Sequence, residues 1–481
     1  MRPRCGAALL ALFVAACDGD VGPAGATGAD AADAATVADG ASQVDGHGDT
    51  VGSDASSADD SAGSPESDSI SALDARVGPD VPAADTAGTS DGSDTGADAA
   101  GGCTTIVDPD QGGAALQAAL IAAASGDVVC LGQGTFDVQS ELSLTTGGVT
   151  IRGWGMDASV LSYTNQVVGA NGLKITGNNV TLEDFGLVDP AGDGVRADAV
   201  SGLTLRGVSV RWTTPASGDN GGYGLYPVQS QDVLVEGCVV VGASDAGIYV
   251  GQSTNVLVRH NEAMGNVAGI EIENTTDAEV VDNNVHDNTA GILVFNLPGL
   301  PVQDGKRAKV HDNQVTNNNG MNFAQEGNIV AMVPSGTGIM VLASDDNEIH
   351  DNQIAGNQTV GVLIIHYADM LFGAPTDPDF DPYPEGNWVH GNTLADNGAS
   401  PQGIAAALPI PKPMAPLAWD GCTDPAKGDD AALRNCFSSN GDAAFVDFDL
   451  CGGFADVSSD ATPVTCEHST LPAIDLPGAA P

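Results

Sequence analysis

Residues 246–295 read AGIYVGQSTNVLVRHNEAMGNVAGIEIENTTDAEVVDNNVHDNTAGILVF, and the same unit begins three times within them. Gly247-Ile248, Gly269-Ile270 and Gly291-Ile292 each open a run with apolar residues at every second position: Ile248 and Val250, Ile270 and Ile272, Ile292 and Val294. An alternation of two is the period of a strand and not of a helix. Working outward, Gly224-Leu225, Gly338-Ile339, Gly361-Val362 and Gly403-Ile404 continue the series, with steps of 23, 22, 22, 47, 23 and 42 residues. The two long steps are each one coil plus insertions. A period this short fits a coil of three short strands joined by tight turns and excludes most two-helix repeats.

A second signature repeats with the first. Asn261 and Asn266, Asn283 and Asn288, Asn313 and Asn318, Asn352 and Asn357, and Asn392 and Asn397 are pairs five residues apart, each preceding a strand of the first series. Amides at matching turns of successive coils would stack about one strand spacing, ~4.8 Å, apart and hydrogen-bond along the ladder. Earlier coils are expected through Val149-Thr150-Ile151, Leu173-Lys174-Ile175, Val180-Thr181-Leu182 and Leu203-Thr204-Leu205. The segment Ala114 to Ala124 has a helical pattern and would cap the open first coil.

The strings GDVVCLGQGTF, GLYPVQSQDVLVE, ASDAGIYVGQS, AGIEIENT, AGILVFNLPGLP and NFAQEGNIVAMVPSGTGI resemble the parallel β-helix repeat lipoproteins, an exported bacterial family without an established activity. The resemblance spans roughly residues 113–370. It implies an all-β, right-handed parallel β-helix over residues 103–410, followed by a cysteine-rich segment, 411–481, and it supplies no catalytic residues. More distantly the coil pattern is similar to the pectate-lyase-like superfamily, whose members cleave, epimerise or bind polysaccharide.

At the N-terminus Arg2 and Arg4 precede the apolar run Ala7 to Val14 and then Val14-Ala15-Ala16-Cys17, the layout of a secretory signal. Cys17 resembles the lipid attachment site of bacterial lipoproteins, so residues 1–16 are expected to be removed and Cys17 lipidated. The membrane is then reached through lipid alone, at a bacterial cell envelope. Residues 17–102 are Ala, Asp, Gly, Ser and Thr with little else. From 18 to 102 there are 18 acidic residues against one basic residue, Arg76. Such a chain cannot bury enough apolar area to offset ordering entropy, and its self-repulsion suits an extended tether. Residues 103–481 keep 46 acidic and 12 basic residues, a net charge near −34, which makes nucleic acid and acidic membrane surfaces poor partners.

Export implies an oxidising compartment. With Cys5 removed and Cys17 lipidated, one N-terminal bridge is expected between Cys103 and Cys130. Cys422, Cys436, Cys451 and Cys466 would form two more of open connectivity, leaving Cys238 a buried thiol. None shows the close paired spacing of a zinc site.

If the alternating apolar residues point inward, their neighbours face solvent on one sheet. That outward column runs Arg196, Tyr226, Tyr249, Glu271, Leu293, Met340 and Leu363, beside Gly251, Glu273 and Phe295. Arg196, Tyr226, Tyr249 and Phe295 suit a groove that binds sugar rings, and polysaccharide is the expected partner. Glu271 and Glu273 are ~6.5–7 Å apart at their Cα atoms, near the separation that inverting glycosidases use. They are the candidate catalytic pair of a polysaccharide hydrolase or lyase. The competing class is a non-catalytic structural or adhesive cell-surface protein. Insertions at 296–307, 319–335 and 366–386 are expected to wall this region. Asp377, Asp379 and Asp381 alternate ahead of Glu385 and are the candidate calcium ligands. His311, His350 and His390 should stack in one column as a structural feature.

Overall fold

The computed structural model describes residues 102–375 and 377–476. The signal segment, Cys17 and nearly all of the acidic tether lie outside the described residues. Almost every regular element is a short strand in parallel pairing. Most coils contribute three strands, for instance Gln231–Glu236, Val239–Val241 and Ala246–Gly251, while Val180–Val188 and Ser201–Arg211 each span the first two positions. The first two positions of every coil build a twenty-stranded sheet, and the third builds an eleven-stranded one running from Ser140–Leu144 to Phe445–Asp447. The helix Gly112–Ala122 closes the first coil with Leu116 and Leu120 inward.

The register follows the repeat. Leu225 pairs with Ile248, Ile248 with Ile270, Ile270 with Ile292 and Ile292 with Ile339. These side chains fill the interior of the coils, almost wholly removed from water. The glycine before each has no room for a side chain: a Cβ on Gly269 would lie 2.3 Å from Val285 Cγ1 and 2.9 Å from the Gly291 carbonyl oxygen.

The amide ladders form as well. Asn261, Asn283, Asn313, Asn352, Asn392 and Asn440 pass one side-chain bond to the next, each Nδ2 donating to the following Oδ1 at 2.9–3.0 Å. A second ladder runs from Asn266 to Asn397. Most ladder asparagines follow a residue in the left-handed region. His260, Asp282, Asp312, Asp351 and Gly391 have φ of 52–65°, a conformation that Gly, Asn and Asp tolerate best. A third ladder, Asn347, Asn387 and Asn435, is present too.

Two expectations are corrected. Gly403-Ile404 does not open a strand: Gly403–Ala407 is a short helix, and Leu417–Trp419 takes that rung instead. The ladders also continue beyond residue 410, because Leu417–Trp419, Cys436–Ser438 and Phe445–Asp447 pair in parallel with the preceding coils. Long insertions dilute the repeat there without ending it. Disulfides join Cys103 to Cys130, Cys422 to Cys451 and Cys436 to Cys466, and Cys238 is a buried free thiol.

Candidate functional site

The column on the eleven-stranded sheet stands in the expected register. Arg196 pairs with Tyr226, Tyr249 with Glu271, Gly251 with Glu273, and Glu273 with Phe295. Its expected exposure is corrected. Tyr249 is 4% exposed, Glu271 3%, Glu273 7% and Phe295 1%. The insertions fold over this face instead of flanking it, and Val330, Val333 and Phe380 join Tyr249, Leu293, Phe295 and Met340 in one apolar cluster. Only Arg196 and Tyr226 of the six candidate groove residues remain partly exposed.

At this edge aromatic rings and carboxyl groups are contiguous. Tyr223 lies 4.4 Å from Tyr226 and 4.7 Å from Tyr249 between ring centroids, and Tyr226 meets Tyr249 edge-on at 4.9 Å. The Arg196 guanidinium sits 4.9 Å above the Tyr226 ring. Its Nε donates to Asp198 Oδ1 at 2.9 Å, and Nη1 lies 3.5 Å from Asp193 Oδ2. Deeper in, the Tyr249 hydroxyl donates to Glu273 Oε1 at 2.5 Å, and Gln252 Nε2 reaches both at 3.2 and 3.4 Å. Asn328, from the covering segment, donates to Asp245 Oδ2 at 3.0 Å. Glu271 Oε2 is buried with no hydrogen-bond partner.

Burial dominates the protonation of these acids, because it disfavours the charged form. It pushes Asp193 up to about 6 against the Arg196 charge and the Tyr223 amide, and Asp245 and Glu273 up to about 7 against hydrogen bonds from Asn328 and Tyr249. Glu271 is raised well above the usual carboxylate range by burial and by the charges of Asp245 and Glu273. Carboxyls that titrate near neutrality can both give and take protons at physiological pH. Tyr223, Asp193, Asp245 and Gln252 were not singled out in the sequence, since they lie on turns or off the strand alternation.

The three calcium candidates do not converge. Asp377 accepts from Gln303 and from the Asp379 amide, the latter at 3.1 Å, while Asp379 stays exposed. Asp381 instead joins Asp345 and Glu385, with ligand oxygens within 4.8 Å of one another. Lys427 Nζ reaches Asp381 Oδ2 and Glu385 Oε2 at 2.5 Å each, so an ammonium already compensates this acidic group.

The histidine column forms, with His311 and His350 stacked at 4.8 Å and 3°, and His350 and His390 at 5.0 Å and 8°. It has carboxylate partners that the sequence did not reveal: Glu279 meets His311 Nε2 at 2.8 Å and Glu348 meets His390 Nε2 at 3.1 Å. The other oxygens of these glutamates accept the amides of Ile474 and Leu471, each at 2.7 Å, strapping the C-terminal segment across the coils. Burial opposes the charged form of His311, but bonds to Glu279 and Asp312 outweigh it and raise its pKa.

Residues 148–354 match the family described as right handed beta helix region. No curated protein sequence matches the chain. Among solved structures, the A-module of a mannuronan C-5 epimerase of Azotobacter vinelandii is similar at 17% identity, covering 62% of this chain and 87% of that one, with a TM-score of 0.41. A DFA-IIIase of Arthrobacter chlorophenolicus A6 without its lid is similar at 12% identity, over 70% of this chain and 99% of that one, with a TM-score of 0.42. The pectate lyase Pel9A is similar at 14% identity, over 61% and 76%, with a TM-score of 0.34. Parallel ladders run from Thr105 to Asp447, so the coil architecture continues on both sides of the residues that match the family.

Proposed function

We propose that the chain binds polysaccharide on the part of the outer face of the eleven-stranded sheet that the insertions leave open, around Arg196, Tyr226 and Tyr223. The observation that carries this is the partly exposed group of Arg196, Tyr226, Tyr223 and Asp193, backed by the buried Tyr249 and Glu273. Aromatic faces stack on sugar rings, and acids and amides take their hydroxyls. Cleavage by Glu271 and Glu273 would require the 319–335 segment to lift, since Val330 and Val333 cover this face. The N-terminal layout supports Cys17 as a lipid attachment point holding the folded head at a bacterial cell envelope.

A second reading, a non-catalytic structural or adhesive protein, is favoured by the burial of both glutamates. Titration with oligosaccharides by calorimetry, together with a glycan-degradation screen, separates the two. Polysaccharide binding that falls at least ~10-fold in Tyr226→Ala, the scale of a lost stacking contact, supports the first reading. Inert glycans together with capture of a protein partner support the second.

A further inference from the structure

We propose that His366, Cys422 and Cys451 form a zinc site when the Cys422–Cys451 disulfide is reduced, with Asp420 as the carboxylate that orients the histidine. The three ligands come from successive rungs of the eleven-stranded sheet. His366 follows Val360–Ile365, Cys422 follows Leu417–Trp419 and Cys451 follows Phe445–Asp447. The parallel register Ile364, Trp419, Asp447 therefore places them together although 85 residues separate the first from the last.

A ring nitrogen of His366 and the two sulfurs lie within 4.8 Å of one another. A tetrahedral zinc with bonds of ~2.0–2.3 Å needs ligand separations of ~3.3–3.8 Å. Small side-chain rotations about a parted disulfide suffice. The histidine is already set as a ligand. Asp420 is fully buried, and its Oδ2 accepts from the His366 amide at 2.7 Å and meets His366 Nδ1 at 2.6 Å, while its Oδ1 accepts from the Cys422 amide at 3.0 Å. A carboxylate on Nδ1 fixes the tautomer whose Nε2 carries the free lone pair, as in carboxylate–histidine–zinc arrangements. Nε2 lies 3.9 Å from Cys451 Sγ, and the ring stacks on Tyr383 at 5.7 Å and 12°. The bridge Cys436–Cys466 also has a histidine beside it, but Nε2 of that His468 is engaged by the Arg434 carbonyl at 2.8 Å.

The redox step is balanced by a dithiol reductant, which supplies two electrons and two protons while closing its own disulfide. The Cys422–Cys451 bond breaks, each sulfur becomes a thiol, and zinc displaces both protons to leave two thiolates and a neutral imidazole. The fourth position stays open for water or a substrate oxygen. Of the bridged cysteines only Cys451 is exposed, so an attacking thiolate reaches this bridge first.

The test uses the full chain, reduced stepwise with dithiothreitol, alkylated for mapping, and loaded with zinc or with cobalt as a spectroscopic substitute. Limited reduction should label Cys422 and Cys451 before the other bridged cysteines. The reduced chain should take up about one zinc per chain, and cobalt should show thiolate charge-transfer and tetrahedral absorption. His366→Ala should abolish that absorption, and Asp420→Asn should weaken zinc ~10–100-fold, while His468→Ala leaves both unchanged. Circular dichroism follows folding throughout. The proposal is overturned if the reduced, folded chain binds no more zinc than the oxidised one, or if binding survives Cys422→Ser with Cys451→Ser. A reduced chain that unfolds and is not refolded by zinc also overturns it, because ligands drawn from three rungs must couple binding to folding.

Discussion

Replacing Asn313 by alanine removes four hydrogen bonds from the middle of the longest amide ladder. Its Oδ1 accepts from the amide and the side chain of Asn283 at 3.0 and 2.9 Å, and its Nδ2 donates to the Val280 carbonyl and to Asn352 Oδ1, both at 2.9 Å. The site is completely buried, so no water replaces the lost partners. At about 1 kcal/mol for each bond, the cost is about 4 kcal/mol, a large share of the ~5–15 kcal/mol that stabilises a typical domain. Asn397, half-buried at the end of the second ladder, has three such bonds, and water can reach its site. Asn397→Ala should therefore cost about half as much. Urea unfolding with the disulfides intact gives both values, and hydrogen exchange of the flanking strands locates the damage. A loss below ~1 kcal/mol for Asn313→Ala, or equal losses at both sites, would refute the ladder as a main source of cohesion between coils.

Asp193, Asp245 and Glu273 have folded-state pKa values of about 6, about 7 and about 7, above their unfolded values. The folded chain then binds more protons, so these groups favour folding at low pH and lose that contribution as pH rises toward 7. The melting temperature should rise on going from pH 7 to pH 5, and rise less in Glu273→Gln; an identical pH response in both would contradict the assignment. Cys238, whose thiol burial pushes up to about 12, should resist iodoacetamide in the native chain and react only on unfolding, as mass spectrometry of labelled peptides can show. Truncation after Ser469 removes the amide bonds to Glu348 and Glu279 and the packing of Ile474 and Leu476 on Leu234 and Leu257. It should cost ~2–4 kcal/mol, and an unchanged melting temperature would show the strap to be incidental.

The coil architecture was legible because strand alternation and turn chemistry repeat at a fixed step. Ile248, Ile270 and Ile292 report the inward face, and Asn283 or Asn313 the corners, whatever lies outside. The exposure of the site was not legible. Alternation assigns Glu271 and Tyr249 to the outer face of one sheet, but whether water reaches that face depends on where Phe323 to Val333 folds, and that segment has no period. The same limit hid Asp245, on a turn, and the pairing of Asp381 with Asp345, which requires knowing that the 366–386 insertion meets the turn between Thr337–Leu342 and Glu348–His350. Gly403-Ile404 carried the local signature of a strand and became a helix because an apolar dipeptide after glycine is too short to impose one conformation. The strap across Glu279 and Glu348 was hidden for a further reason: its contacts run across coils, perpendicular to the direction in which the sequence repeats.

Polysaccharide binding on the outer face of the eleven-stranded sheet is tested most directly by a glycan array probed with residues 102–481, in the wild type and in Tyr226→Ala. One glycan class should bind the wild type, and the signal should be lost in the variant with circular dichroism unchanged. No binding to any glycan, or binding that Tyr226→Ala leaves intact, would contradict it.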